Sequence, residues 1–206
     1  MHANSRLLFE RYALEYFEPG LTVLEIGPDG FPSAYRQLVG ERAATWDTLE
    51  MSGPPELTYT ATSEYEFPIE DDRYDIVVSG QVLEHVPRIW RWMREVARVC
   101  KPGGIVITIN PVSWPFHKSP RDCWRVYPDG MTALYEDSSL EVLLSRWESL
   151  ETPGHKRYIQ GRSRKDQRRL QRALSRFLGP IGFPVERSYD TITIGRKLPR
   201  LDQVSA

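Results

Sequence analysis

Short runs that read as buried strands alternate with helix-length stretches through the first half of this chain, and that alternation admits few folds. Residues 21–26 (LTVLEI) form a β-branched-rich run stopped by Gly27-Pro28-Asp29-Gly30. Residues 42–47, 57–61, 74–79 and 105–109 repeat the strand signal. Between them, residues 33–39 and 82–99 carry apolar side chains at helical spacing, through Leu83, Val86, Ile89, Met93, Val96 and Ala97 in the second case. Lys101-Pro-Gly-Gly104 reads as the stop and turn that separate this helix from the next strand. Strand, helix, strand, helix in succession predicts a doubly wound α/β domain, with right-handed crossovers and helices on both faces of a mostly parallel sheet.

The ends and the second half follow a looser pattern. An N-terminal helix through Leu7, Leu8, Tyr12, Leu14, Tyr16 and Phe17 is closed by Pro19-Gly20. Residues 110–127 form a long loop rich in proline and aromatics, too long for a mere connector, and this favours a binding role. A short helix over 128–136 and strands over 140–144 and 191–194 come after it. Between Lys156 and Arg176, nine Lys or Arg accompany one acid, Asp166, with an apolar stripe through Leu170, Ala173, Leu174 and Phe177. That stretch reads as an amphipathic basic insertion over 156–178. The chain is thus expected to be one domain over 1–198, with a polar tail over 199–206.

Composition narrows the class. The 206 residues include six Trp and carry a formal charge of −1, which excludes a disordered polyelectrolyte and gives no global case for nucleic acid. Cys100 and Cys123 are too few for a disulfide framework or a four-cysteine metal site, so reduced thiols in a cytoplasmic protein are expected. No signal peptide, membrane span or metal-ligand set is read from the sequence.

The chemistry concentrates at strand ends. A glycine turn after a buried parallel strand lets a ligand approach the backbone closely, and Gly27 and Gly30 supply one. The dehydrogenase pattern Gly-x-Gly-x-x-Gly is not met, and Glu25, two residues before the turn, suits a cationic ligand better than a pyrophosphate. Asp47, 22 residues after Glu25, is read as the acid at the end of the second strand that would accept hydrogen bonds from ribose hydroxyls. Adenosine joined to a cationic amino-acid-like group would use both carboxylates.

Three segments in order, residues 23–30 (VLEIGPDG), 74–86 (YDIVVSGQVLEHV) and 98–107 (RVCKPGGIVI), resemble the successive motifs of class I S-adenosylmethionine-dependent methyltransferases. The likeness covers residues 20–110 and implies a Rossmann-like, seven-stranded sheet whose last strand, around residues 191–194, enters antiparallel. It implies S-adenosyl-L-methionine as cofactor. Glu25 and the backbone of Gly27 and Gly30 would hold its methionine part together with Gln81, Asp47 the ribose, and Ser63 with Glu64 the adenine. Asp29, where the family has a second glycine, departs from the pattern.

On the acceptor side, His117 is the candidate proton acceptor and Asp122 its orienting acid, with Trp114, Arg121, Trp124 and Arg125 as substrate contacts. His85, one turn into the expected helix, is read as structural or at the pocket edge. The expected reaction is methyl transfer to oxygen, less readily nitrogen, of a small molecule or a glycan intermediate. The alternatives are a non-catalytic cofactor- or partner-binding relative, suggested by Asp29 and Ser63, and an RNA-directed enzyme using the basic segment.

Overall fold

The computed structural model describes residues 3–151 and 188–199. The expected basic insertion over 156–178 and nearly all of the tail over 199–206 lie outside the described residues. Seven strands, β1 (Leu21–Ile26), β2 (Ala43–Glu50), β3 (Tyr59–Thr60), β4 (Tyr74–Gly80), β5 (Cys100–Pro111), β6 (Leu140–Glu148) and β7 (Asp190–Lys197), form one sheet in the order β3-β2-β1-β4-β5-β7-β6. Strands β1 to β5 pair in parallel, and β7 runs antiparallel to both neighbours, β5 and β6. This is the doubly wound, mostly parallel seven-stranded sheet that the sequence led us to expect, with β7 as the antiparallel insert.

Strand parity divides the core. Leu24, Ile26, Val77 and Val106 face α3 (Ile89–Val99) and α4 (Pro128–Glu136). Val23, Ile76, Val78, Ile107 and Ile194 face α1 (Ala3–Tyr12) and α2 (Ala34–Val39). Helix α3 buries Ile89, Trp92, Met93, Val96 and Ala97, the i, i+3, i+4, i+7, i+8 stripe of a helix resting on a sheet. Fully burying one such side chain contributes roughly 1.5–3 kcal/mol, so the two faces hold the sheet far more firmly than any loop contact does.

Local chemistry moves several boundaries. The helix expected over 82–99 is split: Pro87 restricts Val86 to an extended conformation, leaving a single 3₁₀ turn over Leu83–His85 before α3 begins at Ile89. The Lys101–Gly104 stretch is not a separate turn. Backbone at Cys100 is already extended, and β5 starts there, with the register shift between Tyr74 and Ile76 absorbing the irregularity. The N-terminal helix ends at Tyr12 and continues as a 3₁₀ turn over Leu14–Tyr16. Strand β2 runs to Glu50, three residues beyond its expected end, and that difference relocates the acid at its tip.

Candidate functional site

A cavity of about 520 Å³ opens at the carboxyl ends of β1, β2 and β4, where the strand order reverses direction between β1 and β4. Gly27 and Ile26 from β1 and its turn, Leu49 and Glu50 from β2, Ser63 and Glu64 from the loop after β3, and Gln81 and Val82 after β4 line it. His85 from the 3₁₀ turn and Arg121 from the loop after β5 close its mouth.

Gly27 is required where it stands. Its φ is +74°, in the left-handed region, and a Cβ added there would fall onto a Val82 methyl. Its N–H donates to the Leu49 carbonyl at 3.0 Å, which holds the turn against β2. Gln81 occupies the same backbone region, at φ +62°, without glycine's freedom. Its N–H is fixed by the Ile109 carbonyl at 2.8 Å and its Nε2 donates to Asp190 Oδ1 at 3.2 Å, while its Oε1 is buried without a partner. A strained residue with an unmet acceptor at a cavity wall is what a ligand donor would complete.

The expected carboxylate pair does not converge here. Glu25 shares the parity of Val23, so its side chain goes to the α2 face, where Ser33 Oγ and Trp46 Nε1 donate to one of its oxygens at 2.5 and 2.8 Å. It is 1% exposed, and burial pushes its carboxyl up to about 7 against the opposing pull of those two hydrogen bonds. Asp47 lies beside Leu24 in mid-sheet rather than at a strand tip, and it accepts the Tyr74 hydroxyl at 2.7 Å. The acid at the end of β2 is Glu50, which lines the cavity and accepts the Met51 N–H at 2.8 Å. Reading strand β2 through Thr48-Leu49 to its polar end would have found it. Gly30 also lies apart, in a second, smaller hollow with Trp46 and Arg36. Asp29, which stands in place of a glycine, accepts the Ala34 N–H at 2.8 Å and so helps Ser33 cap α2.

The loop after β5 is pinned by polar contacts. Arg125 forks onto both oxygens of Asp122, at 2.5 and 2.7 Å, and holds that carboxyl below its usual range. Asp122 also accepts the His117 N–H at 3.2 Å, and the His117 ring lies 4.0 Å from it. Arg125 further donates to the Trp114 carbonyl at 3.2 Å, and Trp124 Nε1 donates to the Val86 carbonyl at 3.0 Å, which uses both polar handles structurally. Of the four expected substrate contacts, Arg121 alone lines the cavity. His117 is not among the lining residues, and its ring centroid lies 5.3 Å from that of His85. Of the two readings of His85, structural or at the pocket edge, the second agrees with its place on the cavity wall, on the 3₁₀ turn that Pro87 ends. Next to it Glu84 is 3% exposed, with its carboxyl pushed up to about 8 by burial.

A family model described as a methyltransferase domain matches residues 37–108, which span β2 to β5 and most of the cavity wall. Over that third of the chain the protein resembles class I methyltransferases. It is 33% identical over 102 residues to an uncharacterized methyltransferase of Mycobacteroides abscessus, and 37% identical over 98 residues to one of Mycobacterium tuberculosis. Those matches take in 43% of this chain and 39% and 38% of the relatives, so the chain spans about two fifths of the length of the curated proteins it resembles. Among solved structures, a SAM-dependent methyltransferase from Archaeoglobus fulgidus superposes with a TM-score of 0.61 at 16% identity, covering 94% of this chain and 95% of that one. That likeness extends the shared fold to β6 and β7. Among the described residues no helix is long and apolar enough to cross a membrane.

Proposed function

We propose that this protein transfers a methyl group from S-adenosyl-L-methionine to an oxygen of a small-molecule or glycan acceptor. The observation that carries the reading is the 520 Å³ cavity at the strand-order reversal, with Gly27, Glu50, Ser63 and Gln81 converging on it. A structure of similar fold, the phosphoethanolamine N-methyltransferase 2 of Haemonchus contortus in complex with S-adenosyl-L-methionine, supports the choice of cofactor.

The residues present suit that molecule. Gly27 permits close approach of backbone, and the unmet Gln81 Oε1 would accept from the methionine ammonium. Glu50, in the role first given to Asp47, would accept from the ribose hydroxyls, and Ser63 with Glu64 would meet the adenine edge beside apolar Leu49, Ala61 and Phe67. When bound, the cofactor supplies an electrophilic sulfonium methyl. The chain's own task is then mostly alignment, which can contribute roughly 7–11 kcal/mol to such a displacement. Arg121 at the mouth would draw in an anionic or polar acceptor. His117, oriented through Asp122, would take the hydroxyl proton as the oxygen attacks.

Calorimetric titration with S-adenosylhomocysteine tests the cofactor half. Saturable binding is expected, with a rise in melting stability of about 2.7 kcal/mol at a hundredfold excess over Kd. No binding by a folded protein would refute the proposal.

A further inference from the structure

One donor of each of His85, His117 and Asp122 lies within 4.8 Å of the others, at the side of the cavity mouth. Two imidazoles and a carboxylate form the ligand set of zinc-class and other first-row divalent cations. We propose that these three side chains bind one such cation.

The hydrogen bonds around them are those of a prepared site. His85 Nδ1 is 2.6 Å from the Arg121 carbonyl, which can only accept, so Nδ1 carries the proton and Nε2 presents a lone pair. That nitrogen lies 3.6 Å from Glu84 Oε1. Glu84 has a side chain 3% exposed, and its other oxygen is buried without a hydrogen-bond partner. His117 Nδ1 is likewise buried without a partner. Asp122, 2% exposed, is held by the Arg125 fork and the His117 N–H, which orient it and leave lone pairs over. The Arg121 carbonyl orients His85 and the Arg125 fork orients Asp122, while His117 Nδ1 is left without a donor, and a cation would complete the group.

Ligands at about 2.0–2.1 Å around a tetrahedral ion stand roughly 3.3 Å apart, so the donors need to close by at most about 1.5 Å, within reach of rotation about the histidine side-chain bonds. Three protein ligands leave a position open for an oxygen donor from outside, the pattern of a catalytic rather than a structural site. Under the methyl-transfer reading, that donor is the acceptor hydroxyl: the cation would lower its pKa so that its proton passes to water, and His117 would act as a ligand in place of proton acceptor. Only this last step rests on that reading; metal binding does not.

The test uses tag-free full-length protein, stripped with chelator and titrated with Co²⁺ without cofactor or acceptor, following visible ligand-field absorption and heat. One Co²⁺ per chain, displaced by Zn²⁺, is the expected result. His85→Ala and His117→Ala should each weaken binding by at least about tenfold. Asp122→Asn, which keeps an acceptor for Arg125, should do the same with circular dichroism unchanged. No stoichiometric binding, or binding undiminished in both histidine variants, overturns the proposal. Failure to bind S-adenosylhomocysteine would leave the metal site standing, and methyl transfer by fully metal-free protein would leave the function standing without it.

Discussion

Replacing Glu25 by Gln isolates the energetic consequence of burying a carboxyl on the helix side of β1. Both donors to Glu25, Ser33 Oγ and Trp46 Nε1, converge on one oxygen, so the amide oxygen of Gln can keep both bonds while the ionisable group is lost. In the folded chain burial raises this carboxyl from 4.5 to about 7. Because the folded state holds the proton more tightly than the unfolded state, ionisation costs stability. The cost is absent below pH 4.5, grows as pH rises to 7, and is complete above that. At about 1.4 kcal/mol per pH unit over this window, the wild type should lose about 3 kcal/mol that Glu25→Gln retains. Glu84 titrates over an overlapping range, from 4.5 to about 8, but it is present in both proteins and cancels in the difference. Urea unfolding at pH 4.5 and pH 8 measures this directly: near-equal stabilities at the lower pH, and the variant more stable at the higher. A difference between the two proteins that does not change with pH would refute the argument that desolvation governs Glu25.

The remaining expectations concern the cavity. Glu50→Ala should weaken S-adenosylhomocysteine binding by about 1.5–3 kcal/mol with little loss of stability, whereas Asp47→Ala should lose about 1–3 kcal/mol of stability through the Tyr74 hydroxyl and leave affinity intact. Paired calorimetry and unfolding decide between the two acids, and a reversed pattern would return the ribose role to Asp47. Gly27→Ala should destabilise the fold by about 2–4 kcal/mol, since it combines left-handed strain with overlap onto Val82; a melting curve like the wild type's would show that the turn relaxes freely. His117→Ala should lower turnover on a true acceptor by about a hundredfold or more with cofactor affinity unchanged, as loss of a proton acceptor does, and near wild-type turnover would leave alignment as the sole source of rate.

Sequence alone settled the architecture, because period and punctuation are local properties. Alternating β-branched runs and helical stripes specify a parallel α/β sheet wherever their apolar faces must be covered, and β1, β4, α3 and α4 appear where those patterns lie. The glycine at 27 was legible too, since a strand meeting a tight turn needs a residue free to adopt positive φ. Which carboxylate faces the cavity was a different kind of question. A strand has two faces and an end, so one residue of parity sends Glu25 to Ser33 and Trp46, and three residues of strand length turn Asp47 into an internal partner of Tyr74 and make Glu50 the tip. The meeting of His85 with His117 and Asp122, 32 and 37 positions further on, has no local signal at all. It arises because Pro87 cuts a turn short on one side of the cavity and Arg125 ties down a loop on the other. Only the packed sheet brings those two loops together.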